Sequence, residues 1–137
     1  MIILKDKAIE ATNPEPVAHA LQEWLASVDD TERLKEHFFV VLLDARMRVK
    51  LVDVVSIGIL NASLVHPREV FIRAIATAAS SILIAHNHPS GVWEPSDADL
   101  ATTRRLNEAG KIIGIDLIDH LIFTLSGYYS FVENGKL

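Results

Sequence analysis

Two stretches of this chain are apolar at almost every position, not at every second or third. His37 to Leu43 reads HFFVVLL, and Ser81 to Ala85 reads SILIA. Unbroken runs of β-branched, aromatic and aliphatic residues a few positions long predict buried strands. Buried strands require a sheet that other elements cover.

The covering elements are readable on either side of these runs. Residues 1–12 form a short leading segment. Asn13 is a good N-cap and Pro14 suits the first helical position. Val17, Leu21, Trp24, Leu25 and Val28 follow at helical spacing, so an amphipathic helix is expected over 14–28. Asp29, Asp30 and Thr31 end or interrupt it. A turn at 44–47 leads to a hairpin partner over 49–55, and 58–64 is looser. Pro67 opens a helix over 67–79 with an apolar stripe of Val70, Phe71, Ala74, Ile75 and Ala78. A loop from His86 to Pro95 precedes a helix that begins at Ser96 and is expected to stop at Gly110 as its C-cap. A strand is expected at 112–118. A hairpin of 121–125 and 128–132 is expected around Ser126-Gly127. The pattern predicts one mixed α/β (α+β) domain spanning 1–137, with helices covering a central sheet.

Composition narrows the function. With 137 residues, half of them hydrophobic, the chain can bury a core and is not intrinsically disordered. No apolar run approaches the roughly 18 residues of a membrane helix, and the charged start MIILKDKAIE is not that of a signal peptide. The chain has no Cys, which excludes disulfides, thiolate metal sites and cysteine nucleophiles and suits a cytoplasmic setting. Any transition-metal site must use His and carboxylate. The net charge of −5, with basic pairs only at Arg46/Arg48 and Arg104/Arg105, disfavours binding to nucleic-acid backbones.

The segment His86-Asn87-His88-Pro89-Ser90-Gly91 ends the second apolar run. If the backbone stays extended to residue 88, the two imidazoles project to one face, roughly 6–7 Å apart at Cα. Pro89 and Gly91 then turn the chain. Asp99, in the first turn of the following helix, can swing back towards the same point. Two neutral imidazoles and a carboxylate form a ligand set for catalytic zinc, with water in the fourth position. The same Asp99 also suits a structural role, because Ser96-x-x-Asp99 is close to a capping box and the helix dipole favours an acid there.

The spacing His86-x-His88-x7-Ser96-x2-Asp99 resembles the signature of the JAMM (MPN+) metalloprotease-like domain. More narrowly, the chain is similar to the RadC-like branch of that family. The matching residues are HNHPSG at 86–91, Pro95-Ser96 and Asp99. Others are Leu43-Asp44, Gly58, Asn61 to Ser63, Val65 to Glu69, Gly114-Ile115, Asp119-His120 and Ser130-Phe131. The likeness covers roughly 32–134. It lacks the N-terminal helix-hairpin-helix-like region of longer members, and Val92-Trp93-Glu94 is the chain's own loop.

The resemblance implies a central mixed sheet flanked by helices, in a cytidine deaminase-like architecture. It implies that His86, His88 and Asp99 bind Zn²⁺, that Ser96 helps hold an oxyanion, and that an upstream Glu is general acid/base through a metal-bound water. Glu36, just before HFFVVLL, occupies the position where that Glu lies in the family; Glu69 and Glu94 are its rivals. The implied activity is hydrolysis of a peptide or isopeptide amide bond in a peptide or protein substrate. A DNA repair role, the label the RadC-like family often carries, and a non-catalytic scaffold role are the alternatives.

Lesser candidates are Ser90, His66, Trp93 and Asp119-His120. Ser90 suits a place near the metal or an ordinary turn. His66 suits a helix cap, and Trp93 a lip for substrate or simple loop packing. Asp119-His120 resembles a carboxylate–imidazole pair behind a metal ligand, although a link between two strands is the expected role.

Overall fold

The computed structural model describes residues 2–5, 8–58 and 65–137; the Asn61–Ser63 part of the family pattern lies outside them. The elements, in chain order, are β1 (Ile2–Lys5), α1 (Pro14–Ser27), α2 (Asp30–Arg33), β2 (Glu36–Leu43), β3 (Val49–Gly58), α3 (Pro67–Ala76), β4 (Ser81–Asn87), α4 (Asp97–Ile113), β5 (Asp116–Phe123) and β6 (Tyr128–Ser130). The strands form one sheet in the order β1-β3-β2-β4-β5-β6. All neighbours are antiparallel except β4 and β5, which run parallel. A parallel pair needs a crossover, and α4 provides it. The leading segment contributes β1, so it belongs to the sheet edge.

The two apolar runs are the central strands β2 and β4. Strand alternation sends their side chains to opposite faces. Phe39, Val41 and Leu43 of β2 join Leu83 and Ala85 of β4 beneath α1, which buries Val17, Ala18, Leu21 and Leu25 against them. Phe38, Val40 and Leu42 join Ile82 and Ile84 on the other face, under Val70, Phe71 and Ala74 of α3 and Leu106 of α4. The result is a mixed α/β sandwich with helices on both faces of the sheet. It agrees with the fold class expected from the sequence and from the resemblance.

The helix expected over 67–79 ends at Ala76, and Ala78 takes a left-handed φ of 53°; the structure makes three further corrections. The helix α4 passes through Gly110 and stops at Gly114, whose φ of 86° is left-handed and whose N–H donates to the Gly110 carbonyl at 2.8 Å. Gly110 is needed for a different reason: a Cβ there would lie 2.6 Å from the Ile115 carbonyl oxygen. The strands expected at 112–118 and 121–125 are one strand, β5. The apolar pair Ile112-Ile113 that suggested an earlier start is exposed on the last turn of α4. Asp119-His120 therefore stands within a strand, not between two. Finally, Phe123 pairs with Tyr128, which centres the turn on Leu125-Ser126, one position early. The Thr124 hydroxyl sets it by accepting from the Ser126 and Gly127 amides at 3.2 and 3.1 Å.

Candidate metal centre

The C-terminal end of β4 lies between β2 and β5, with His86 opposite Phe38 on one side and Ile122 on the other. The His88 amide donates to the Phe123 carbonyl at 3.1 Å, so strand pairing continues one residue past β4. His86 and His88 accordingly share a face, and their ring centroids are 4.8 Å apart. Asn87, between them, points the other way. Its Oδ1 accepts from the His37 amide at 2.7 Å and its Nδ2 donates to the Lys35 carbonyl at 3.0 Å. Both neighbours of Glu36 are thereby pinned to the strand that carries the imidazoles.

The chain turns back at Gly91, where φ is 86° and L side chains are disfavoured. It then starts α4 with Ser96 as N-cap. The capping box is complete: Ser96 Oγ accepts from the Asp99 amide at 3.1 Å and Asp99 Oδ2 accepts from the Ser96 amide at 2.9 Å. The cap orients the carboxylate that reaches the imidazoles. Asp99 Oδ1 lies 3.2 Å from His86 Nε2, and Asp99 Oδ2 lies 3.2 Å from His88 Nε2. The two Nε2 atoms are 2.9 Å apart, and Glu36 Oε1 is 3.7 Å from His86 Nε2. One ligand atom from each of the four residues falls within 4.8 Å of every other.

These separations fit a metal. Bonds of about 2.0–2.1 Å in a tetrahedron place neighbouring ligand atoms about 3.3 Å apart. The donor set of two imidazole nitrogens and carboxylate oxygens suits zinc. The far side of each ring is also occupied, since His88 Nδ1 donates to the Val92 carbonyl at 2.8 Å and His86 Nδ1 meets His120 Nε2 at 2.9 Å. Each Nε2 is left facing the cluster.

The electrostatics agree. Burial pushes the Asp99 carboxyl up, but its close contacts with the His86 and His88 imidazoles and with the Ser96 amide outweigh it and hold Asp99 well below the carboxylate range. Burial lowers His88, yet its contact with Asp99 and its bond to Val92 raise it overall. His120 is driven well below its ordinary value by burial and by the neighbouring His86.

Of the three candidate glutamates, Glu36 joins the cluster. Glu69 lines a separate hollow with Asp53 and Arg73, and Glu94 lies on the loop beside Trp93. Ser90 accepts from the Val92 amide within the turn at 3.4 Å. His66 occupies the N-cap position of α3 without a side-chain cap bond. Trp93 lies over Gly127, where a Cβ would meet its ring at 2.9 Å. The Asp119-His120 pair divides. The Asp119 carboxylate accepts from the His120 and Val132 amides and from Ser130 Oγ, a structural link across the hairpin, whereas the His120 ring turns to His86. Sequence reasoning missed Asn87, Thr103 and the Val92 carbonyl; a polar residue inside an apolar strand end was the available signal for Asn87 alone.

A mixed sheet between helical layers, with an imidazole pair at a strand end and a carboxylate in the next helix's first turn, defines an α/β domain with a candidate divalent-metal site. A model of the RadC-like JAB domain matches residues 11–136. A UPF0758 protein of Chlorobium phaeovibrioides is 49% identical over 106 residues, covering 77% of this chain and 48% of the relative. A UPF0758 protein of Clostridium acetobutylicum is 42% identical over 131 residues, covering 96% of this chain and 55% of the relative. One from Symbiobacterium thermophilum is 45% identical over 131 residues, covering 96% and 54%. The chain belongs to the RadC-like JAB domain family, and it spans about half the length of these relatives.

Proposed function

We propose that the chain is a zinc-dependent hydrolase of a peptide or isopeptide amide bond. The observation that carries this reading is the asymmetry of the cluster. His86, His88 and Asp99 approach one another within 3.2 Å, while Glu36 stands off at 3.7 Å from the nearest imidazole nitrogen. Three groups close enough to hold an ion, plus one carboxylate set apart, is the division between ligands and a general base.

A bound zinc ion supplies Lewis acidity, which makes water a nucleophile near neutral pH and polarises a carbonyl. Glu36 takes a proton from the attacking water and gives one to the amine nitrogen as the C–N bond breaks. Ser96 Oγ already accepts from the Asp99 amide, so its hydroxyl hydrogen is available to the carbonyl oxygen as negative charge develops there. A cavity of about 220 Å³ opens beside His88. Leu34, Pro89 and Leu125 give it apolar walls, suited to a substrate side chain flanking the scissile bond.

The test loads the full chain with one equivalent of zinc and screens peptide-linked and isopeptide-linked fluorogenic substrates. Glu36→Gln is expected to keep its zinc and lose at least about 100-fold in turnover. His88→Ala is expected to lose both. A zinc-loaded wild type inactive on both bond classes, or a Glu36→Gln variant as active as wild type, overturns the reading.

A further inference from the structure

His120 is a fully buried histidine within β5, one strand away from the ligands. Its ring stacks on Phe131 at 4.4 Å and meets Phe38 edge-on. Both ring nitrogens have partners. Nε2 lies 2.9 Å from His86 Nδ1, and Nδ1 lies 2.5 Å from Thr103 Oγ1. Thr103, also buried, donates its hydroxyl hydrogen to the Asp99 carbonyl at 2.8 Å.

The direction of this chain follows from its end. A backbone carbonyl only accepts. The Thr103 hydroxyl has one hydrogen, and the Asp99 carbonyl takes it, so Thr103 Oγ1 accepts from His120 Nδ1–H. A neutral imidazole that donates at one nitrogen accepts at the other. Among the described residues no carboxylate is hydrogen-bonded to the His120 ring, and burial between two phenylalanine rings disfavours its charged form. His120 Nε2 therefore accepts from His86 Nδ1–H, and the lone pair of His86 Nε2 is left facing His88, Asp99 and Glu36. Reversed, the same chain would place a hydrogen on His86 Nε2, where an ion must bind.

We propose that Thr103 and His120 are positioning residues for a divalent metal: anchored on the Asp99 carbonyl, they hold His86 in the one neutral tautomer that can ligate through Nε2. The anchor and the carboxylate belong to the same residue. Asp99 thus acts on the ion through its side chain and, through its backbone and two further residues, on the imidazole opposite. This inference rests on the metal site, not on hydrolysis.

The experiment uses the full chain and zinc alone, with affinity measured by chelator competition. Thr103→Val keeps the shape of the side chain and removes the hydroxyl. His120 Nδ1–H then has no acceptor, and the chain is free to reverse. Zinc affinity is expected to fall about 10- to 100-fold, the usual effect of losing a partner behind a metal ligand, and Thr103→Ser to restore it. His120→Phe, which keeps the ring stack, is expected to lose affinity similarly. The second readout is the ¹⁵N spectrum of metal-free protein, in which wild-type His86 carries its proton on Nδ1 and the Thr103→Val variant carries it on Nε2. Unchanged zinc affinity in folded Thr103→Val, or a wild-type His86 protonated on Nε2, overturns the relay. If Thr103→Val does not fold, the wild-type spectrum still decides. A wild type without zinc affinity overturns the metal site itself, and with it both readings; zinc binding without hydrolysis overturns only the proposed activity.

Discussion

At the scale of single residues, Asp99 shows that a structural and a chemical reading of one side chain need not compete. Its carboxylate closes a capping box with Ser96 and faces two imidazoles. Two substitutions separate the roles. Ser96→Ala removes a cap acceptor and should cost about 1 kcal/mol of stability while zinc binding persists. Asp99→Asn retains a cap acceptor for the Ser96 amide but loses the charge that faces His86 and His88, so zinc retention should be lost and the metal-free melting temperature should fall as well. Thermal melts and metal-to-protein stoichiometry check both.

The His88–Asp99 contact also sets a pH dependence. His88 is raised, so its contribution to the metal-free fold is full below the ordinary histidine value of 6.5 and is lost as pH rises through the higher folded value. Asp99 is depressed, so its contribution is present above the ordinary carboxylate value of 3.8 and is lost as pH falls towards its lower folded value. The contribution of this pair should be greatest between those two ordinary values, and His120, driven low by burial, opposes it as pH falls below 6.5. Zinc competes with the His88 proton, so its affinity should climb as pH rises past 6.5, read by chelator competition across pH. Most of this site was legible in the sequence, because His86, His88, Ser96 and Asp99 are close along the chain. Thr103 carries no signal of its role. The sequence suggests Asp119-His120 as a pair behind a ligand without showing that the His120 ring alone does it; only the parallel pairing of β4 with β5 brings that ring to the back of His86.

At the scale of elements, the pattern found β2 and β4 because each holds an unbroken apolar run, and it misplaced the junction of α4 and β5. Two glycines lie four residues apart there, and either suits a helix end by composition. The structure gives them different jobs. Gly114 takes the left-handed cap, so Gly114→Ala should cost about 1–2 kcal/mol. Gly110 lies where β5 departs beneath the helix, and a methyl group would meet backbone oxygen at 2.6 Å. Because backbone cannot step aside as a flexible side chain can, Gly110→Ala should cost about 1–3 kcal/mol and shift the start of β5. Denaturant unfolding ranks the two, and hydrogen exchange at Ile115–Leu117 reports the shift.

At the scale of the whole molecule, a ligand that binds only the folded state adds stability by mass action. Zinc at 100 times its dissociation constant should contribute about 2.7 kcal/mol, a rise in melting temperature on the order of 10 °C for a domain of this size, reversed by a chelator. The proposed ligands also come from two separate elements, the end of β4 and the start of α4. In a chain with no cysteine, an ion held by His86, His88 and Asp99 acts as the cross-link a disulfide would otherwise provide. Such a tie shrinks the unfolded ensemble by closing the loop between β4 and α4. Stripping the ion should then do more than silence a reaction. It should loosen the hold of α4 on the sheet, and a protease should cut first in the segment between His88 and Ser96.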